Sequence, residues 1–513
     1  MVSEVSQQDP MDDLLNVILD QLSTARDCSL ETDLDDSISA LRLETTLTEF
    51  VAKVQAIELS PEQFVTLVHY VLHSAAVEWL LGCENQATAI TDAANSSCEY
   101  FYSDLSAALC RHACVPSLAN EEEACQDLSK KFGKKAETAC MAMMTFSQLL
   151  SKLSSHSKCS ERSHNRTVQR IIRTLSCAAV IMCLEHDQVC RWTTTQSVKC
   201  SKTLLATVCT TNGCDTFDSL LNVSDGGKFS LLQQILDEVL PKLTRSTWKL
   251  NPAASHVFRR CLLVTCQPLL GDFLLMFLPP TLLLVDDFEV DNRLSGLRCL
   301  QHIMQHCSKT ELRWYGCADV IYDSLMRAWF RCDDVVLEAT ILCIFEVLDV
   351  VEVSPGHASS PRSWGRQDDV FVKYLTNMEM ENQVSLRRVY AKHLDSFVSK
   401  LGITVVRHLS QLLHVMSDYL QVSDEPDERS RCDVLKALSV ILSGAWPRVP
   451  SHADDIMKSL VRLLVDVKKQ SDVMSTSGHM NLRHQALDCV HLLRKICPEY
   501  SSLTDEFFSQ ISD

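Results

Sequence analysis

The chain has 513 residues, enough for two to four domain-sized units or one elongated repeat array, and far too many for a small stapled scaffold. Its 13 glycines and 14 prolines make up about 5% of the chain against an average of roughly 12%, which disfavours turn-dense sandwiches and barrels and favours helices. With 66 acidic against 48 basic residues the formal charge is −18, a sign that repels phosphate backbones, and no basic stripe interrupts it.

The 24 cysteines would mean a disulfide framework in a short secreted chain. Here the first 22 residues carry Glu4, Asp9, Asp12 and Asp13 and no basic residue, unlike a secretory signal. The expectation is an intracellular, reduced chain whose thiols are mostly small buried side chains, with the sequons at Asn95, Asn165 and Asn222 unused. The most apolar stretch, 269–285, holds Asp272, Pro279 and Pro280 and is too interrupted to span a bilayer.

In chain order, residues 1–45 read as an acidic N-terminal arm or fraying helix with Leu14, Leu15, Ile18 and Leu22 on one face. Residues 46–228 read as an irregular helical region. Within it, Ser60-Pro61-Glu62 is a start signal for a helix carrying Phe64, Leu67, Val68, Val71 and Leu72 at helical period. Further helices are predicted at about 98–115, 121–155 and 164–186, with a polar loop at 154–163 and a weak pattern over 193–227 before a helix at 229–243.

From 229 to 513 one template recurs: an apolar helix, a short acidic link, and a second helix. Anchors at Arg293, Glu338, Arg387, Arg431 and Arg483 have apolar residues four positions on (Leu297, Leu342, Ala391, Leu435, Leu487) and seven positions on (Leu300, Phe345, Leu394, Leu438, Val490), which puts both rows on one helix face. Partner helices are predicted over 281–286, 320–334, 370–380, 406–419 and 456–466. Polar insertions at about 354–366 and 471–478 account for the longer steps. The fold class is therefore all-α: an α-solenoid of HEAT/armadillo-like helical repeats behind a less regular helical N-terminal half.

Chemical signatures fail one by one. Gly226-Gly227-Lys228 resembles the end of a phosphate loop, but Asn222 replaces its first glycine and Phe229 its hydroxyl residue. Asp33, Asp35 and Asp36 lack the glycine and distal glutamate of a calcium loop. Cys110, His112 and Cys114, with Cys125, are zinc-type ligands, yet His112 falls off the face that the two cysteines share. Cys209 and Cys214 flank an Asn212-Gly213 turn, and His302 and His306 lie four apart with no third ligand. No catalytic residue, cofactor or metal is assigned, and the chain is read as a non-enzyme.

Three segments carry a resemblance: LPPTLLLVDDFEVDNRLSGLRCLQHIM (278–304), NQVSLRRVYAKHLDSFVSKLGITVVRHLSQL (382–412) and AWPRV (445–449). In this order they resemble the Tel-two-interacting protein two family, the small subunit of the Triple T co-chaperone complex, and the resemblance covers about 230–500. It implies a non-catalytic scaffold whose partners are the Tel-two protein and Tel-two-interacting protein one. With Hsp90 and its R2TP adaptor, that assembly supports folding, assembly and stability of the phosphatidylinositol-3-kinase-related kinases, and so growth (TOR) signalling, DNA-damage checkpoints and nonsense-mediated decay. It also implies a cytoplasmic, in part nuclear, location. The alternative is a transport or trafficking adaptor of the same architecture that binds peptides or small GTPases. On residue type, the segments holding Arg387, Arg388, Tyr390, Arg407, His408, Trp446, Pro447 and Arg448 are the expected partner contacts, since Arg, Tyr and Trp dominate binding hot spots; core packing is the competing role for Tyr390 and Trp446.

Overall fold

The computed structural model describes residues 47–56, 59–81, 92–119, 129–159, 162–222, 230–330, 333–352, 363–471 and 477–500, with isolated helical positions before 47. Most of the expected acidic arm, the Gly226-Gly227-Lys228 segment, Asp33, Asp35, Asp36 and Cys125 lie outside these residues, as do 354–362 and 472–476 of the two expected insertions. Among the described residues the regular structure is helical, with no strand, and two compact units divide at Met1–Pro280 and Thr281–Asp513.

The first unit contains α1 (Leu47–Ala56), α2 (Pro61–Ser74), α3 (Val77–Leu80), α4 (Asp92–Ala113), α5 (Ser129–Cys159), α6 (Arg162–Glu185), α7 (Thr195–Thr211), α8 (Phe217–Leu221), α9 (Leu231–Val239), α10 (Pro252–Val264) and α11 (Leu269–Asp272). The start signal at Ser60 is a full capping box: Ser60 Oγ accepts from the Gln63 amide and Gln63 Oε1 accepts from the Ser60 amide. α5 lies against α2, α3, α4, α6 and α7, and α6 against α4, α7, α9 and α10. Because 231–264 packs on α6, the division falls at Pro280, some way past the boundary expected at 228/229.

Two expectations in this unit are corrected. The polar stretch 154–159 is helical rather than a loop, because Ser151 and Ser155 donate back to the carbonyls of Ser147 and Ser151 and so satisfy their hydroxyls within the helix. The weak pattern over 193–211 is a capped helix whose inward stripe is Ser197, Ser201, Leu204 and Val208. The buried Ser201 hydroxyl donates to Cys183 O at 2.8 Å, so a polar residue occupies a core position at no hydrogen-bonding loss.

Helix α12 (Leu274–Val285) carries the division between the units. The second unit continues with α13 (Val290–His306), the short α14 (Lys309–Trp314), α15 (Cys317–Ala328), α16 (Asp334–Val351), α17 (Arg366–Met380), α18 (Val384–Leu401), α19 (Leu409–Gln421), α20 (Arg429–Gly444), α21 (Ala453–Ser471) and α22 (Ser477–Ile496). Side-chain contacts reveal two parallel rows. In the row α13, α16, α18, α20, α22, starts meet starts and ends meet ends: Lys392 reaches Glu338, Lys400 reaches Asp349, and the Asn481 amide faces the Cys432 sulfur. In the row α15, α17, α19, α21, Arg366 reaches Asp319, Tyr419 Oη donates to Met378 O, and Ser417 meets Ser459. Within a pair the direction reverses, as where Tyr374 of α17 donates to Tyr390 O of α18. This unit is an α-solenoid of HEAT-like helix pairs.

All five sequence anchors sit on the second helix of a pair, but the register needs two corrections. Leu342 is 38% exposed and Leu487 half-buried, whereas Ile341 and Ala486 are fully buried. The inward stripe of α16 and α22 is thus shifted one residue toward the N-terminus, led by Leu337 and Leu482 rather than Glu338 and Arg483. The seven-on row is buried throughout, because a stripe three to four residues wide tolerates a one-residue error at that position. The insertion expected at 471–478 is narrower in the structure, since Ser471 ends α21 and Ser477 starts α22.

Candidate functional site

The eight expected contact residues do not form one patch. Arg387, Arg388 and Tyr390 lie in the first turns of the 18-residue helix α18, and Arg407 and His408 lie beyond its other end, about 25 Å away at 1.5 Å per residue. Trp446, Pro447 and Arg448 follow the end of α20, which runs parallel to α18, and so share the edge of Arg407. The unit has two edges: a turn edge inside the pairs, and a linking edge between one pair and the next.

On the turn edge the arginines are engaged within the protein. The Arg388 guanidinium donates to Asp424 Oδ2 at 2.9 Å and to Asp424 O at 2.5 Å, which ties α18 to the turn inside the next pair. Arg387 stacks on Tyr419 at 3.7 Å from the ring centroid and donates to Glu381 O. Tyr390 is buried, accepts from Trp329 Nε1 at 3.2 Å, and meets Tyr374 edge-on. Its side chain packs repeats together, the competing role named for it.

On the linking edge His408 is likewise buried and is corrected to a packing role. Its Nε2 donates at 3.0 Å to Asp368, a fully buried carboxylate that also accepts from the Gly365 amide, and Arg407 approaches that carboxylate at 3.5 Å. Trp364 closes over the His408 ring at 5.2 Å and donates to Asp369. Trp446, by contrast, is 60% exposed, with Pro447 and Arg448 exposed beside it. Core packing, the competing role weighed for it, is overturned. Trp314, Trp364 and Ile403 occupy corresponding exposed places at the earlier links.

Chemistry-bearing clusters resolve into structural networks. The His112 ring lies against Phe64 at 4.4 Å, while Cys110 hydrogen-bonds Cys114, a contact that with burial holds the Cys114 thiol well above its usual range. Among the described residues, the Cys110, His112 and Cys114 ligand atoms are not gathered as a set within 4.8 Å of one another. His302 and His306 stack on each other at 4.3 Å. Among the described residues, one set of three brings metal-type ligand atoms within 4.8 Å: Glu425, Glu428 and His479. There the buried Arg431 stands 3.5 Å from Glu428 and 3.0 Å from Asp466, and supplies the positive charge a cation would bring.

One arrangement was invisible to motif reading. His256 Nε2 donates to Asp187 at 2.8 Å, leaving Nδ1 4.0 Å from the Cys190 sulfur, an order resembling nucleophile, base and carboxylate. Burial pushes the Cys190 thiol up rather than down, and Arg260 takes the second Asp187 oxygen at 2.5 Å. The cluster therefore reads as an ion-pair closure of α10 onto the end of α6. Next to it Glu185 is fully buried, with a value pushed up to about 7 by desolvation although its Oε2 accepts from the Val115 amide.

No described helix is long and apolar enough to cross a membrane. No protein-family model matches the chain. Among solved structures, importin beta is similar at a TM-score of 0.41 with 11% identity, covering 97% of this chain and 73% of that one. The karyopherin Kap121p bound to the extreme C-terminus of the phosphatase Cdc14p gives 0.38 with 11% identity, covering 98% and 47%. Neither score bears on fold or function, and the repeat architecture rests on the contacts above. Among curated proteins, TELO2-interacting protein 2 of rat is 32% identical over 326 residues, 63% of each chain, and that of mouse 31% over the same length and share. The match thus spans less than two thirds of the rodent proteins. The human protein of that name is 30% identical over 365 residues, 70% of each chain. With that identity and coverage, the chain belongs to the TELO2-interacting protein 2 family.

Proposed function

We propose that the chain is a non-catalytic scaffold subunit of the Triple T co-chaperone assembly. It joins the Tel-two protein and Tel-two-interacting protein one, and through Hsp90 and R2TP it supports folding, assembly and steady levels of the phosphatidylinositol-3-kinase-related kinases. The work takes place in the cytoplasm and in part in the nucleus. The observation that carries this reading is the family membership, whose name speaks of an interaction with the Tel-two protein. The repeat unit supports it physically: stacked helix pairs expose two long edges, and side chains such as Trp446 stand in solvent without a pocket to serve.

The test is capture of the tagged full chain from cells, with depletion in parallel. Recovery of both larger subunits, and a several-fold fall in kinase levels on depletion, is the expected result. Recovery of neither, or unchanged kinase levels, overturns the reading.

A further inference from the structure

The turn edge of the repeat unit has a composition the proposed scaffold role does not by itself explain. Each turn from the first pair to the fourth leaves at least one large apolar side chain exposed, the most prominent being Phe288, Phe330 (63% exposed), Met380 (71%) and Val422. The same turns carry exposed acids, among them Asp286, Asp333, Glu379 and Asp427. Positive charge there is scarcer and mostly occupied. Arg429 pairs with Asp427 at 2.8 Å, Arg388 is committed to Asp424, and Arg387 lies on Tyr419.

Between the second and third turns the edge deepens into a groove of about 340 Å³, lined by Trp329, Phe330, Leu337, Met380, Leu386 and Tyr390. Its aromatic wall already accepts a cation: Lys373 Nζ sits 4.2 Å from the Phe330 centroid. Packed helices lie roughly 8–10 Å apart, so successive apolar residues along the edge recur at about that interval. A helix rising 1.5 Å per residue returns to the same face after seven residues, about 10.5 Å. A partner helix laid along the edge therefore meets one turn per heptad.

We propose that this edge is the docking surface for a basic amphipathic helix of a partner protein, with its apolar residues seated on Phe288, Phe330, Met380 and Val422 and its lysines or arginines facing the intervening acids. The inference rests on the scaffold reading and names the chemistry of one partner segment. The hydrophobic contacts supply residence, and the acid–base match supplies orientation and association rate.

The experiment uses the full-length chain and a labelled 28-residue peptide with leucines repeating every heptad and lysines between them. Two controls are a glutamate-for-lysine version and a lysine version with scrambled leucine spacing. Fluorescence anisotropy should give the heptad lysine peptide at least tenfold tighter binding than either control. Phe330→Ser with Met380→Ser, and separately Glu379→Lys with Glu381→Gln, should each remove about tenfold. Asp488→Lys with Asp455→Asn, which makes the same change in net charge away from the edge, should change binding less than twofold. Circular dichroism and thermal melts confirm that each variant folds. Equal binding of the lysine and glutamate peptides, or losses as large in the off-edge control as in the edge variants, overturns the proposal.

Capture of the Tel-two protein and of Tel-two-interacting protein one by the same variants separates this proposal from the scaffold reading. If wild-type chain captures neither subunit while the peptide binds in an edge-dependent way, the scaffold reading falls and the edge stands. If wild-type and edge variants capture both equally well, the edge proposal falls and the scaffold reading stands.

Discussion

In the Met1–Pro280 unit the 31-residue helix α5 is packed by five helices of unequal length and direction, whereas each helix of the Thr281–Asp513 unit has at most 20 residues and meets its pair and its row neighbours. The difference shows in how polar groups are buried. In the first unit each buried polar side chain has its own solution, such as Ser201 on Cys183 or Glu185 on Val115. In the second unit ion pairs recur between row neighbours, as with Lys392–Glu338, Lys400–Asp349 and Arg388–Asp424. Repeat stability is then close to a sum of nearest-neighbour terms, while the first unit depends on particular long-range contacts.

The comparison breaks most sharply at Arg431, which is 1% exposed and holds Glu428, Asp466 and the Val422 carbonyl. Arg431→Ala leaves buried carboxylate without its counter-charge and should cost about 3–5 kcal/mol, with faster hydrogen exchange in α19–α22 and unchanged exchange in α5 and α6. Loss spread evenly over both units would refute the nearest-neighbour view. Gly296 in α13 comes next. A Cβ there would stand 2.6 Å from the Val285 amide nitrogen, so Gly296→Val should destabilise by about 3 kcal/mol in chemical denaturation, through forced separation of the first pair.

Glu185 sharpens the comparison from the other side. Its folded value of about 7 lies above the ordinary 4.5, so the folded state holds the proton more tightly and stability from this group falls as pH rises between those values. Glu185→Gln removes that fall. The variant should match wild type near pH 4.5, and by pH 8 should be more stable by about 3 kcal/mol. Parallel stability curves across this window would show that desolvation of Glu185 is not felt. Smaller still, Ser60→Ala removes a capping box on α2 and should cost about 1 kcal/mol. Trp446→Ser should change the melting free energy by less than about 0.5 kcal/mol, since the ring is mostly in solvent, and a larger loss would return it to the core.

Much of this was legible before any coordinates. Amphipathic period alone places the five second helices of the pairs, and the capping residues at Ser60 locate a helix start to the residue. Local chemistry suffices there because a helix cap and an apolar stripe are decided within one or two turns of chain. The stripe of α7 escaped notice because its inward residues are Ser197 and Ser201, which only Cys183 and His186 of another segment make acceptable in a core. The one-residue shifts in α16 and α22 escaped for a related reason: the choice between Ile341 and Leu342 is made by the neighbouring helix, not by either residue's polarity.

The candidate contacts divide in the same way. Residue type picked out Tyr390, His408 and Trp446 alike, but hydrogen bonds from Trp329 and to Asp368 draw the first two into the core and nothing draws in the third. The amino-acid sequence by itself determined the helical class, the repeating pairs and the family, because these depend on periodicity and on runs of matching residues. Only tertiary structure decided that α18 separates Arg387 from Arg407, and that Phe288, Phe330, Met380 and Val422 share one edge. Residues a full repeat apart become neighbours through stacking, a relation that local sequence spacing does not encode.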